Sequence, residues 1–177
     1  KVLINQKIIV KCRKLSDNNK KFGNNEIIFT ENFSELKSSE IIFLAIPSQA
    51  LRQNLTLLRK KTQDKKFTFV ICSKGVEKKS NKLMSEVVED IFPKNQIVIL
   101  SGPNFSSELI SKKPSASVLS SSKDKVSYSI SELLFQKNFR TYFNNDIIGT
   151  QLGGAMKNVI AIACGFIRGK NYCFLTM

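Results

Sequence analysis

The sequence contains no histidine and no tryptophan among its 177 residues. The lack of histidine excludes the Ser-His-Asp and Cys-His catalytic arrangements, together with zinc sites built from cysteine and histidine. Any general base in this protein must therefore be a lysine, an aspartate, a glutamate or a tyrosine. That restriction narrows the possible chemistry before any motif is considered.

Cysteine is also scarce, and its positions are Cys12, Cys72, Cys164 and Cys173. No two of them form a CxxC pair, and four scattered residues are too few for a disulfide scaffold, so we predict no metal site. The first seven residues contain no apolar segment of the kind found in signal peptides. We therefore expect a cytoplasmic protein with reduced thiols. Because the chain begins with Lys1 rather than methionine, we also expect an N-terminal part to be missing.

Acidic residues are half as numerous as basic ones, 14 against 28, which leaves a net charge of +14. Such a charge is typical of nucleic-acid-binding proteins, but those that read phosphates and bases favour arginine. Most basic residues here are lysines, spread along a chain also rich in isoleucine, asparagine, serine and phenylalanine. An A/T-rich genome imposes that bias without selection for charge. We expect an attraction for anions and no nucleic-acid partner, with a basic nucleic-acid-binding module as the alternative.

Apolar runs of strand length alternate with segments of helical periodicity. Continuous apolar runs are typical of parallel strands buried on both faces. The runs are residues 8–10, 27–30, 41–46, 67–72 and 97–100, and the helical patterns cover about 48–60, 81–91 and 124–135. This alternation predicts an α/β fold with a Rossmann-like, doubly wound parallel sheet.

The character of the chain changes near residue 146, where a long, weakly charged segment follows. Residues 147–167 include Gln151, Lys157 and Asn158, each unfavourable at the centre of a membrane. We interpret the segment as a buried helix of a soluble protein and not as a membrane span. We predict two domains: an incomplete Rossmann-like domain over residues 1–145, and the truncated start of an all-α domain over 146–177.

Ligands of parallel sheets bind at the carboxyl ends of the strands, and three strand ends carry unusual residues. Ser48 and Asn104 are expected to cap the helices that follow them, and Lys74 to point into the ligand crevice. Ordinary turns and a solvated lysine would give the same patterns, so both interpretations stay open. The three segments are Pro47-Ser48-Gln49, Ser73-Lys74-Gly75 and Ser101-Gly102-Pro103-Asn104-Phe105.

Lys157 lies in the middle of the long helical pattern, close to Gly153, Gly154 and Ala161. Two adjacent glycines in a helix interior cost about 1 kcal/mol each relative to alanine, which indicates close packing against another element or a ligand. Desolvation lowers the pKa of a lysine, so Lys157 is a candidate general base. The alternative is a lysine that extends from a buried helix to solvent.

The glycine-rich phosphate loop of dinucleotide-binding domains is absent, because the first glycine is Gly23. We therefore expect the first strand of the sheet to be missing. Residues 1–7 would form the end of the first helix, and residues 8–12 the second strand. Arg13 follows that strand, at the place where the NADP-binding version of the fold has an arginine for the 2′-phosphate.

Taken together, these motifs resemble the bacterial NAD(P)-dependent glycerol-3-phosphate dehydrogenases. Their order and spacing also fit, and the resemblance covers about residues 1–169, whereas residues 170–177 do not resemble the family. The resembling runs are IFLAIPSQ (42–49), SKGVE (73–77), LSGPNF (100–105), NDIIG (145–149) and LGGAMKNVIAIA (152–163).

The resemblance implies reduction of dihydroxyacetone phosphate to sn-glycerol 3-phosphate with NAD or NADP, which feeds glycerophospholipid synthesis. It implies that Lys157 is the general acid/base at the C2 oxygen, and that Lys74 contacts both cofactor and substrate. Gly102 and Asn104 would line the substrate pocket, with Ser106 on the cofactor side. The complete protein would be a homodimer.

The chain departs from the family in several places. The family has serine where Asn104 stands and alanine where Ser106 stands, and the phosphate loop and most of the helical domain are missing. We therefore expect the chain alone to bind cofactor poorly and to turn over little or nothing. The alternatives are a non-catalytic remnant of the fold, or a related enzyme such as a ketopantoate reductase or a sugar-nucleotide dehydrogenase.

Overall fold

The computed structural model describes residues 8–13, 27–104 and 106–170. Expectations for residues 1–7 and 171–177 lie outside this described part. The strands are β1 (Ile8–Lys11), β2 (Ile27–Thr30), β3 (Ile41–Leu44), β4 (Thr68–Ile71), β5 (Gln96–Ser101), β6 (Ser115–Ser120) and β7 (Phe139–Asn144). The helices are α1 (Leu51–Thr62), α2 (Met84–Ile91), α3 (Ser106–Ile110), α4 (Asp124–Leu134) and α5 (Ile147–Gly169), with 3-10 turns at Phe33–Ser38 and Ser48–Ala50.

The strands form a two-stranded sheet, β1-β2, and a five-stranded sheet in the order β3-β4-β5-β6-β7. The predicted parallel pairing is confirmed for β1 with β2 and for β3, β4 and β5. The sheet continues with two strands outside that prediction, of which β6 runs antiparallel to β5, and β7 follows the direction of β6. Neither of these last two strands was predicted, since serine, threonine and arginine interrupt their apolar residues.

The five-stranded sheet is covered on both faces, which confirms the doubly wound architecture. Strand β4 shows why: Phe69 and Ile71 belong to one apolar cluster, whereas Val70, which points to the opposite face, belongs to the other. The first cluster contains the buried side chains of α1 and α2, and the second contains those of α4. A sheet buried on both faces explains why its strands are continuously apolar.

A groove of about 670 Å³ separates the two sheets, lined by β1 on one side and β3 on the other. Leu55 and Leu58 of α1 and Leu133 of α4 also line it. In the doubly wound order the first strand lies between the second and the fourth, which here are β1 and β3. The groove therefore lies where we expected the missing first strand.

Helix starts differ from the prediction at two places. Ser48 was expected to cap a helix, but it is the first residue of a 3-10 turn that Pro47 precedes, with no side-chain capping bond. The α-helix begins only at Leu51. The pattern predicted over residues 81–91 becomes helical only at Met84, where the Leu83 amide donates to Glu86 Oε2 at 2.7 Å.

Helix α5 has the predicted place but not the predicted burial. Asp146 caps it, accepting the Gly149 amide at 2.7 Å on Oδ1. Of its 23 residues, all of them described, Gln151 alone is buried. The prediction of a buried helix was wrong, because no described element covers the apolar side of α5. By length and composition alone, α5 would be long and apolar enough to cross a membrane. The exposed apolar residues are Ile148, Leu152, Met156, Val159, Ile160, Ile162 and Phe166.

Candidate functional site

The carboxyl ends of β3, β4 and β5 are tied together by two side chains of one loop. Ser73 Oγ lies within hydrogen-bond distance of two carbonyls at the end of β3, 2.9 Å from Leu44 O and 2.5 Å from Ile46 O. Lys74 Nζ donates to Gly102 O, at 2.7 Å, in the loop after β5. Two of the predicted site residues, Lys74 and Gly102, are therefore in direct contact.

Gly75 has a backbone conformation that requires glycine, with φ of +128°. A Cβ there would also stand 3.0 Å from Ser48 Oγ. Next to this contact, Gln49 Nε2 donates to Val76 O at 2.8 Å, and the Lys78 amide donates to Gln49 Oε1 at 3.1 Å. The turn after β3 therefore holds the loop that carries Lys74, a role the sequence did not reveal.

A network of ion pairs holds the same loop from its other side. Arg52 on α1 contacts Glu77 at 2.9 Å and Asp90 on α2 at 2.9 Å, and Lys82 reaches Asp90 at 2.7 Å. Ser80 Oγ donates to Glu77 Oε2 at 2.5 Å. Glu77 is buried, and its hydrogen bond with Arg52, followed by that with Ser80, lowers the pKa of its carboxyl. Sequence reasoning missed this network because its members lie 25 and 38 residues apart.

The loop after β5 packs against β6 without room for a side chain at Gly102. A Cβ there would stand 2.6 Å from Ala116 O and 2.7 Å from Ser117 Oγ. The Asn104 amide nitrogen donates to Ser117 Oγ and so links the loop to β6. Ser106 is the first residue of α3. A glycine at 102 is thus needed for close packing between backbones, whatever binds there.

Helix α5 crosses this edge of the sheet and approaches Lys74 through Gly154. A Cβ at Gly154 would stand 2.9 Å from Ser101 Oγ and 3.6 Å from Lys74 Cγ. Close packing is therefore confirmed at Gly154. The prediction of close packing is wrong for Gly153, where no heavy atom lies within 4 Å of the Cβ position. Adjacent residues of a helix point about 100° apart, so only one of the two glycines faces Lys74.

Lys74 and Lys157 interact electrostatically across this contact. Partial burial of the ammonium group lowers the pKa of Lys74, and the positive charge of Lys157 lowers it further. Burial raises the pKa of the neighbouring Cys72 thiol to about 11. Lys157 itself is half-buried. Two neighbouring ammonium groups at the end of a sheet favour an anionic ligand.

The remaining predicted site residue, Arg13, is exposed and follows β1 in the two-stranded sheet. The space enclosed between the loop after β4, Ser101 and α5 measures only about 10 Å³, and Gln151 also lines it. Nothing larger than one water fits there, so a ligand of Lys74 and Lys157 would lie on the open side of this contact. Within the described ranges, no cluster of three acidic or cysteine side chains is placed to hold a metal ion.

Comparison with known proteins identifies related sequences along nearly the whole chain. The model of the NAD-dependent glycerol-3-phosphate dehydrogenase N-terminus matches residues 6–127, and that of the C-terminus matches residues 146–174. A glycerol-3-phosphate dehydrogenase (NAD(P)+) from Neorickettsia sennetsu is 45% identical over 145 residues, which are 81% of this chain and 43% of the relative. One from Ehrlichia chaffeensis is 41% identical over 148 residues, 82% of this chain and 45% of the relative.

A solved structure of a glycerol-3-phosphate dehydrogenase from Coxiella burnetii superposes with a TM-score of 0.74 at 30% identity, covering 82% of this chain and 45% of that one. The chain thus spans less than half the length of these relatives. The C-terminal match also extends to residue 174, so the expectation that the resemblance ends at residue 169 was wrong. Because a family model covers well over half of its residues, the chain belongs to the NAD-dependent glycerol-3-phosphate dehydrogenase family.

Proposed function

We propose that this chain is the part of an NAD(P)-dependent glycerol-3-phosphate dehydrogenase that joins its cofactor and substrate domains. The complete enzyme reduces dihydroxyacetone phosphate to sn-glycerol 3-phosphate for glycerophospholipid synthesis. The observation that carries the proposal is the meeting of Lys74, from the end of β4, with the face of α5 that bears Gly154 and Lys157. In open α/β sheets this edge is where ligands bind.

The chemistry of the site suits a phosphorylated ketone. The ammonium groups of Lys74 and Lys157 attract the substrate phosphate from solution and hold it near the loop after β5. Gly102 lets that loop pack closely on β6, and Gly102 and Asn104 would line the substrate pocket. Lys157 donates a proton to the C2 oxygen as the carbonyl becomes an alcohol, and it accepts that proton in the reverse direction.

The residues present also fit a dinucleotide. Gly75 and Gly102 let the loops after β4 and β5 pack closely on Ser48 and on β6, and Lys74 offers a positive charge at these strand ends. Lys74, Ser106 and Arg13 would hold the cofactor, Arg13 at a 2′-phosphate where the cofactor is NADP. When bound, the reduced nicotinamide supplies the hydride that C2 receives.

The chain by itself is proposed to turn over little or no substrate. The groove between β1 and β3 lacks the strand that would carry the phosphate loop, and the apolar side of α5 has no cover among the described residues. In the complete enzyme, a cytoplasmic homodimer, further helices of the second domain would cover α5 in place of lipid. We propose no nucleic-acid partner and no membrane span.

The proposal is tested by completing the chain. The segments that flank the matched region in the Neorickettsia sennetsu relative would be fused to both ends, and oxidation of NADH and NADPH would be followed by absorbance. We expect oxidation that depends on dihydroxyacetone phosphate and not on ketopantoate. Oxidation with ketopantoate alone would contradict the proposal. Full activity of the 177-residue chain would contradict the proposal that this chain alone turns over little or no substrate.

A further inference from the structure

Gln151 is the one buried side chain of α5, with 7% of its surface exposed. Its Oε1 accepts the Ser85 amide at 2.9 Å, and its Nε2 donates to Ser85 Oγ at 2.9 Å and to Ile147 O at 3.1 Å. Both amide hydrogens and the oxygen are therefore used. A buried amide with these three partners fits only one placement of the helix, because a shifted helix would leave polar groups unsatisfied.

The partner of Gln151 is the start of another helix. Ser85 is the second residue of α2, and its amide is one of the first four in that helix, which have no carbonyl partner within the helix. Gln151 supplies that partner from 66 residues away. The contact therefore links the first turn of α2, which follows the loop of Lys74, to the second turn of α5.

The residues of α5 that approach the site lie along the same side of the helix as Gln151. Ile147, Gln151, Gly154 and Lys157 follow one another at spacings of four, three and three residues. Ile147 packs against the first core cluster, and Gly154 contacts Ser101 and Lys74. A change of one residue in register would turn this side by about 100° and shift it by about 1.5 Å. Gly154 would then no longer lie on Lys74.

We propose that Gln151 is a positioning residue, which fixes the rotation and height of α5 on α2 and so sets the separation between the ammonium groups of Lys74 and Lys157. The catalytic meaning of that separation rests on the function proposed above, but the separation itself does not. Two observations support the proposal. Gly154 of α5 lies against the Lys74 side chain, and after desolvation the charge of Lys157 on the same helix is the next cause that lowers the pKa of Lys74.

The test uses the 177-residue chain without substrate or cofactor, so that it is independent of enzyme activity. The lysines would be methylated with a ¹³C label, and the Lys74 signal would be identified by its loss in Lys74→Arg. Its pKa would be followed by NMR in the parent, in Gln151→Leu and in Leu152→Ala. Leu152 is the next residue along α5 but is 45% exposed, so it is the matched control.

We expect Gln151→Leu to raise the pKa of Lys74 towards its ordinary value, because α5 no longer packs on the Lys74 side chain or holds Lys157 near it. Leu152→Ala should leave that pKa unchanged. Gln151→Asn keeps a neutral amide that is one methylene shorter, so it weakens the bonds to Ser85 without adding charge and should raise the pKa of Lys74 by less than Gln151→Leu. Gln151→Leu that loses thermal stability while the Lys74 titration stays that of the parent would overturn the proposal.

A milder variant covers the case in which Gln151→Leu does not fold. Ser85→Ala keeps the amide donor and removes only the hydroxyl acceptor, so it should raise the pKa of Lys74 by less than Gln151→Leu would. An unchanged titration in both Ser85→Ala and Gln151→Asn would equally overturn the proposal. In the completed enzyme, Gln151→Asn should lower kcat more than it changes KM, and a failure of that split alone would count against the proposed function.

Discussion

Helices α1 and α5 are both amphipathic, but they are held in opposite ways. Helix α1 buries Leu51, Leu55 and Leu58 against the sheet within 12 residues. Helix α5 is nearly twice as long and buries a single glutamine. The first is held by apolar area, which tolerates small shifts, whereas the second is held by directed contacts at Gln151 and Gly154. The helix that carries the candidate general acid is thus placed by geometry and not by hydrophobic burial.

A leucine-to-alanine substitution in each helix should give the largest difference between α1 and α5. Leu55 is 1% exposed, and Leu55→Ala should lower the free energy of unfolding by about 2–5 kcal/mol through lost burial and a residual cavity. Leu152 is 45% exposed, and Leu152→Ala should change it by less than about 0.5 kcal/mol. Urea unfolding would measure both. Equal losses would show that α5 is as buried as α1.

Glycines provide the next comparison. Gly102→Ala places a methyl group against the Ala116 carbonyl and should destabilise the fold by about 1–3 kcal/mol. Gly153→Ala meets no atom within 4 Å and should stabilise α5 by up to about 1 kcal/mol through helix propensity. Thermal unfolding of the two variants should therefore shift in opposite directions. A stabilised Gly102→Ala would mean that the loop after β5 does not pack on β6 as described.

Helix caps give a smaller effect that distinguishes α5 from the turn before α1. Asp146→Ala removes the bond to the Gly149 amide and should cost about 0.5–2 kcal/mol. Ser48→Ala removes no capping bond and should stay within about 0.5 kcal/mol of the parent. Urea unfolding would measure both changes in the free energy of unfolding. A larger loss for Ser48→Ala than for Asp146→Ala would show that the caps are wrongly assigned.

The pH dependence of stability should show the smallest effect. The folded pKa of Glu77 lies below its ordinary value of 4.5, so its ionised form stabilises the fold above that pH. This contribution is lost as the pH falls from about 4.5 through the lower folded pKa. Glu77→Gln should therefore weaken the protein at neutral pH and reduce the slope of stability against pH in the acid range. An unchanged slope would show that Arg52 does not hold the carboxylate.

The strands that place the site could be predicted from the sequence, since β3, β4 and β5 are buried on both faces and therefore continuously apolar. Lys74 was recognisable because it directly follows such a strand. Strands β6 and β7 were not, because polar residues interrupt them. The burial of α5 was wrongly predicted for a related reason: an apolar helix pattern shows that a face needs covering, but not whether the same chain covers it.

The residues that hold the site in place escaped prediction for a different reason. Gln49, Glu77 and Gln151 bind partners that lie 25 to 66 residues away in the sequence. No local sequence pattern indicates that a polar side chain will make such a distant contact. Gly153 and Gly154 looked equivalent in the sequence, and only the rotation of α5 shows which of them meets Lys74. Chemistry-bearing lysines could thus be found from local patterns, whereas their positioning residues required the fold.

The most direct test of this account is the turnover of the completed chain after removal of the Lys157 ammonium group. Lys157→Met should lower kcat for dihydroxyacetone phosphate by about 10²–10⁴-fold, the usual contribution of a general acid. Lys60→Met, a change at an exposed lysine of α1, is the matched control and should leave kcat unchanged. A kcat of Lys157→Met within twofold of the parent would contradict the central claim that α5 presents the proton donor to the substrate.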